Sequence, residues 1–266
     1  MLKPLLAIRL PLRKLLGMCL LSFNWQPNGA TPLTLVANRD EFHQRPALPA
    51  QFWPEHPHIL AGKDLSAGGT WLGVTKQGYF AALTNVRQLP SPHQGDISRG
   101  QLVLDYLSDQ PEPQQYLAHI HQQANRYDGF NLIVGNRHEC WYYTNHQSNG
   151  PVELHAGLYG LSNAALDTPW PKLNAAKRHL QSWLEQGRHA PLHTILRDPA
   201  TYPQAMQPDT GIGQPWETLL SSAFIISENY GTRASTALQI HQNGIQFEEA
   251  SYDTAGDVRQ LVNFDF

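Results

Sequence analysis

Two cysteines, Cys19 and Cys140, are too few for a disulfide framework. They fit a reducing compartment, so a cytoplasmic location is expected, and a lone thiol there is available as a nucleophile. Charged residues make up only 15% of the chain, against a usual value of roughly 25%. The solvated surface must therefore lean on Gln, Asn, His, Ser and Thr. A net charge of −3 gives no electrostatic footprint for nucleic acid. No apolar run approaches the roughly 20 residues that a bilayer requires, so no membrane span is expected. Internal repeats, low-complexity tracts, a Walker-type loop, His-Glu-x-x-His and Cys-x-x-Cys-His are all missing. Gly211-x-Gly213 is too short for a nucleotide fingerprint. The pairs His56/His58 and His119/His121 read as solvated loop and helix residues, so no metal site is expected.

What is present suits one substantial core: 266 residues, 41% of them hydrophobic. The first seventeen residues stand apart, carrying Lys3, Arg9, Arg13 and Lys14 and no acid. Arg9, Pro11, Arg13 and Lys14 interrupt any signal-peptide core, so 1–17 reads as an added or removed extension. Residues 18–266 are expected to form a single domain. A start at Met18, followed by loss of that methionine, would leave Cys19 as the first residue.

Residues 19–25 read as a strand, Pro27-Asn28-Gly29 as a turn, and 33–37 as the returning strand. An apolar run then ends in Asn38-Arg39-Asp40-Glu41, where uncompensated burial would be costly. Residues 45–57 read as a proline-punctuated loop anchored by Phe52 and Trp53. Strands are expected over 71–75 and 79–84, the second delivering Asn85. Helices are expected over 98–108, with Ser98 as cap, over 114–123, and over 170–183, the last with Lys172, Lys177 and Arg178 on its polar face. Strands over 130–134 and 140–143 place Cys140 among aromatics, as core. A short strand over 158–162 delivers Asn163. A terminal antiparallel set is expected over 223–227, 234–240 and 245–249, with Gly231-Thr232-Arg233 turning between its first two members.

A free Cys19 would supply both a thiol nucleophile and an α-amine, whose unperturbed pKa of about 8 suits a general base. Asp40 can orient that amine, and Arg39 or Arg233 can favour the thiolate. Asn85 and Asn163 can donate side-chain N–H groups to an oxyanion.

The ordered blocks Met18-Cys19-Leu-Leu-Ser-Phe, Ala37-Asn-Arg-Asp-Glu-Phe42, Gly68-Gly-Thr-Trp-Leu-Gly-Val74, Ala82-Leu-Thr-Asn85, Gly160-Leu-Ser-Asn163 with Thr168-Pro-Trp-Pro-Lys172, and Tyr230-Gly-Thr-Arg-Ala-Ser235 resemble the NRDE family, also called the transport and Golgi organisation protein 2 homologue family. Their order also resembles N-terminal-nucleophile hydrolases of the choloylglycine and penicillin V acylase type. That resemblance implies a four-layer αββα sandwich and a catalytic set of Cys19, Asp40, Asn85, Asn163 and Arg233. Asn38, Arg39, Glu41 and Trp71 are then expected at the substrate. Those hydrolases carry an arginine three positions before the aspartate, where this chain has Ala37. The implied activity is cysteine amidohydrolysis of a non-peptide C–N amide bond, with no cofactor required. The NRDE family is also associated with haem trafficking, so the alternative partner is haem, held by a non-catalytic carrier.

Overall fold

The Pro27-Asn28-Gly29 turn closes a hairpin of β1 (Met18–Trp25) and β2 (Leu33–Phe42). The computed structural model describes residues 17–89, 95–187 and 190–266, with the backbone alone at Met18. The extension expected over 1–17 therefore lies, apart from Gly17, outside the described residues.

The chain continues through β3 (Ala47–Trp53), β4 (His56–Asp64), β5 (Leu72–Thr75), β6 (Phe80–Asn85), α1 (Gly100–Asp109) and α2 (Pro113–Gln122). It then forms β7 (Phe130–Gly135), β8 (Cys140–Thr144), β9 (Val152–Glu153), β10 (Gly157–Leu161) and α3 (Pro171–Glu185). A short α4 (Gln214–Leu219) precedes β11 (Tyr230–His241), β12 (Gly244–Tyr252) and β13 (Val258–Asp265). One sheet runs β10-β1-β2-β11-β12-β13 and the other β3-β4-β5-β6-β7-β8-β9, with every neighbouring pair antiparallel.

Strand alternation builds the layers. Leu21, Phe23 and Trp25 of β1 and Leu33, Leu35 and Ala37 of β2 face Val74, Phe80, Ala82 and Ile133 of the second sheet, forming the central core. The alternate residues Leu20 and Val36, with Ala237, face Leu173, Ala176, Leu180 and Trp183 of α3. On the far side, Leu102, Val103, Tyr106 and Leu107 of α1 and Leu117 and Ile120 of α2 cover Ala81, Leu132 and Val134. Helices on both outer faces of two stacked sheets make an αββα sandwich.

Several elements differ from expectation. β2 does not stop at Ala37 but runs through Asn-Arg-Asp-Glu to Phe42, because β1 and β11 supply ladder partners on both sides. The proline loop expected over 45–57 holds β3 and the start of β4; its prolines fall where the β3–β4 register is irregular, as prolines in edge strands do. The strand expected over 223–227 is a non-repetitive segment, although it bonds Thr232 N–H through Ile225 C=O at 2.9 Å. Gly231-Thr232-Arg233 is not a turn but part of β11, with a bulge between Thr232 and Ala234. Among the described residues no helix is long and apolar enough to cross a membrane.

Candidate active site

The four polar residues at the end of β2 are all buried, and alternation divides their tasks. Arg39 and Glu41 continue the face of Ala37, toward the second sheet, whereas Asn38 and Asp40 point toward β11 and α3. At this end of the sandwich the sheets part around a cleft of about 370 Å³. Cys19, Arg39, Asp40, Glu41, Trp71 and Asn85 all line it, so six of the nine expected residues converge there.

Cys19 pairs with Arg39 across the β1–β2 ladder and is almost fully buried. Burial, with the Asp40 carboxylate beside it, pushes its thiol up to about 12, and Arg39 offsets only part of that. A thiol so placed needs a base to remove its proton. The Arg39 guanidinium stacks 4.2 Å from the Trp71 ring centroid and lies 3.5 Å from Asp64. Asp64 also holds Arg45 at 2.6 Å and takes the N–H groups of Ser66 and Ala67, which shapes the loop leading to Gly68-Gly69. A side-chain carbon on Gly69 would sit 2.5 Å from the carbonyl carbon of Gly100. This backbone-to-backbone approach, open only to glycine, brings the start of α1 to the cleft and with it Arg99. Arg99 donates to Gly129 C=O at 3.0 Å; burial lowers its pKa to about 10, against the favourable fields of Asp128, Glu41 and Cys19.

Asn85, at the end of β6, donates its side-chain N–H to Gly17 C=O. Its own backbone carbonyl is gripped by Asn163, whose amide N–H donates at 2.9 Å. A polar ladder supports this region from behind. Tyr142 O–H donates to Asn131 at 2.8 Å, Asn131 donates to Thr84 at 3.0 Å, and Thr84 donates to Ser162 C=O at 2.5 Å.

Three expected site residues do not line the cleft. Asn38 faces away, donating to Leu196 C=O at 3.1 Å and Ala223 C=O at 2.8 Å and accepting from Ser235 at 2.6 Å. Its role is to tie the loops over the outer face, not to touch substrate. Asn163 is wholly buried behind Asn85 and positions it. Arg233 is the extra residue of the β11 bulge, and the bulge sends its guanidinium to Phe42 C=O and Arg45 C=O, both at 3.0 Å.

Sequence reasoning missed Asp64, Arg99 and Lys172. Lys172 was expected on a solvated helix face, yet it is only 2% exposed. The sequence did carry a signal: a lysine directly after the helix-opening Pro171 opposes the positive end of the helix dipole. Asp40 accepts from the Thr232 hydroxyl at 2.6 Å through one carboxylate oxygen, while its Oδ2 and the Lys172 Nζ are both buried without a hydrogen-bond partner. Burial raises the Asp40 pKa and lowers that of Lys172, and each charge counters the other's shift.

Known proteins are similar to this chain in architecture or in sequence. A mutant of the conjugated bile acid hydrolase from Clostridium perfringens superposes with a TM-score of 0.53 at 9% identity, covering 93% of this chain and 92% of that one. That likeness shows the fold, the αββα sandwich of N-terminal-nucleophile hydrolases. The bovine Transport and Golgi organization protein 2 homolog is 34% identical over 257 residues, covering 88% of this chain and 93% of the relative. The mouse homolog is 35% identical, with the same coverage of both chains. With the pattern of the family described as Transport and Golgi organisation 2 also matching residues 18–254, the chain belongs to that family.

Proposed function

We propose that the protein is a cysteine amidohydrolase acting on a non-peptide C–N amide bond, active once Cys19 is the amino-terminal residue. The observation that carries this reading is the shared cleft, in which the thiol of Cys19 and the amide donor of Asn85 lie beside Arg39 and Asp40. In the full chain the nitrogen of Cys19 is an amide, and the Asn85 donor is taken by Gly17 C=O. Removal of the preceding residues releases that donor and creates an α-amine at the nucleophile.

The chemistry then follows from these residues. The α-amine accepts the thiol proton, and the thiolate forms an S–C bond at the substrate carbonyl. Asn85 donates to the resulting oxyanion, a contribution worth about 3 kcal/mol where such donors have been removed. The C–N bond breaks, and the leaving amine takes the proton from the α-ammonium. Water, deprotonated by the same amine, attacks the thioester carbonyl; the S–C bond breaks, the acid leaves, and the thiolate takes the proton back from the α-ammonium. Arg39 moderates the thiolate's cost in a buried site. No metal or redox cofactor enters these steps.

The test joins intact mass, turnover and haem titration on one preparation. The reading expects a mature chain beginning at Cys19 and turnover in an acyl-amide panel that Cys19→Ala abolishes without unfolding. Cys19 is the one thiol among the described lining residues, so it is the candidate axial ligand for haem bound in this cleft. A saturable Soret shift with haemin, in a protein with a free Cys19 amine and no amide turnover, would overturn the hydrolase reading in favour of a carrier. Retention of residues 1–17 in an active protein would overturn the self-base mechanism.

A further inference from the structure

Lys172 is placed where an ammonium is least comfortable. It occupies the first turn of α3, whose backbone dipole repels cations, and it is out of reach of solvent. A buried lysine without compensation would shed its proton. The compensating anion is on the neighbouring strand. Asp40 is 1% exposed, and one of its oxygens has no hydrogen-bond partner. Asp40 Oδ2 and Lys172 Nζ are buried without a hydrogen-bond partner, so the two charges interact through the low-dielectric interior and not by a hydrogen-bonded contact.

The charges around both are few. Asp40 is faced by Cys19 from β1, by Arg39 and Glu41 on its own strand, by Thr232 and Tyr230 from β11, and by Lys172 from α3. Beside Lys172, Leu173 packs against Leu20 and Val36, on the outer sheet face that Asp40 shares; the charges acting on Lys172 there belong to Asp40 and Cys19, to Arg87 beyond β6, and to Glu217 from α4. Arg87 and Glu217 are paired at 3.1 Å, and at Lys172 the Arg87 cation outweighs Glu217. On Asp40, Lys172 is the foremost cationic influence, ahead of Arg39 on its own strand.

We infer that Lys172 is a positioning residue for the Cys19 site, the remote counter-ion that keeps the buried Asp40 carboxylate ionised. An ionised Asp40 can hold the α-amine of Cys19 in place, and a protonated one cannot accept that N–H at its Oδ2 in the same way. This inference rests on the proposed amidohydrolase reading for its role in turnover, but not for its electrostatic content. Lys172 does not line the cleft and acts on the site through Asp40.

The experiment follows the Asp40 carboxyl by 13C NMR in the full chain, assigned with Asp40→Asn, as pH is varied. Lys172→Met is expected to raise the Asp40 midpoint by roughly one unit or more, the shift that a nearby opposite charge imposes. Lys172→Arg is expected to restore it. An unchanged midpoint in Lys172→Met would overturn the inference, since a lysine that merely fills space would leave titration untouched. If Lys172→Met does not fold, the double variant Asp40→Asn/Lys172→Met is expected to fold and to be the more stable of the two, because neither charge is then left uncompensated. A double variant no more stable than the single would also overturn it. In a preparation that turns over an amide, the acid limb of kcat/KM should move up with the Asp40 midpoint. Absence of turnover in wild type would count against the hydrolase reading and leave the NMR result to decide the role of Lys172.

Discussion

Asn38→Ala separates a structural asparagine from a substrate-binding one. Asn38 has no solvent exposure and makes three hydrogen bonds, to Leu196 C=O, Ala223 C=O and the Ser235 hydroxyl. Truncation removes both donors and the acceptor together. Each buried polar atom stripped of its partner costs about 1–3 kcal/mol, and water entering the small cavity recovers part of this. The expected loss is about 3 kcal/mol, roughly a 150-fold change in the folding equilibrium. Ser235→Ala removes only one of the three bonds and is expected to lose about 1 kcal/mol. Urea unfolding monitored by tryptophan fluorescence at neutral pH measures both. Turnover of the remaining folded Asn38→Ala protein should match wild type, because the side chain faces away from the cleft. A destabilisation under about 1 kcal/mol, or a large fall in turnover by fully folded protein, would refute the reasoning.

Asn85→Ala, in the chain beginning at Cys19, should cut kcat by about 10²–10³ through loss of the oxyanion donor. Its unfolding midpoint should stay close to wild type. Gly69→Ala should destabilise by about 1–3 kcal/mol, because its new carbon meets the Gly100 backbone, and Arg99 and the start of α1 must shift. Differential scanning fluorimetry and thiol-alkylation rates at Cys19 would register the two effects. Glu249 is buried and accepts from Ala50 N–H at 2.7 Å and Thr236 at 3.1 Å, and burial raises its pKa above the ordinary carboxylate value. The native state thus binds the proton more tightly than the unfolded chain does, and stability falls as pH rises from the ordinary carboxylate range through the raised native value. Glu249→Gln should flatten that slope in urea titrations across the acid range; an unaltered slope would show that other groups carry it.

Much of the fold was legible because it rests on local rules. Apolar stretches bounded by turn residues located β1, β5, β6, β7 and β8, and periodicity located α1, α2 and α3. β3, β4 and β13 escaped because their pattern is that of edge or half-exposed strands: prolines interrupt the first two, and β13 is exposed along its first half and only partly buried after that. The thiol, Arg39, Asp40 and Asn85 were legible from strand ends whose positions could be anticipated, whereas Glu41 and Trp71 were expected through the family resemblance.

The sequence by itself determined the alternation that builds a two-sheet core, the lone thiol at the start of β1, and the unusual charge cluster ending β2. Tertiary structure alone decided which of those polar groups meet. The one-residue bulge in β11 took Arg233 away from the cleft and gave it to the carbonyls of Phe42 and Arg45. Strand parity sent Asn38 to the outer loops while leaving Arg39 at the thiol. Packing of α3 against the first sheet turned Lys172 from an expected surface residue into a buried one whose charge acts on Asp40. Arg233, Asn38 and Lys172 each act on partners more than 100 residues away in the chain, whose placement no local pattern encodes.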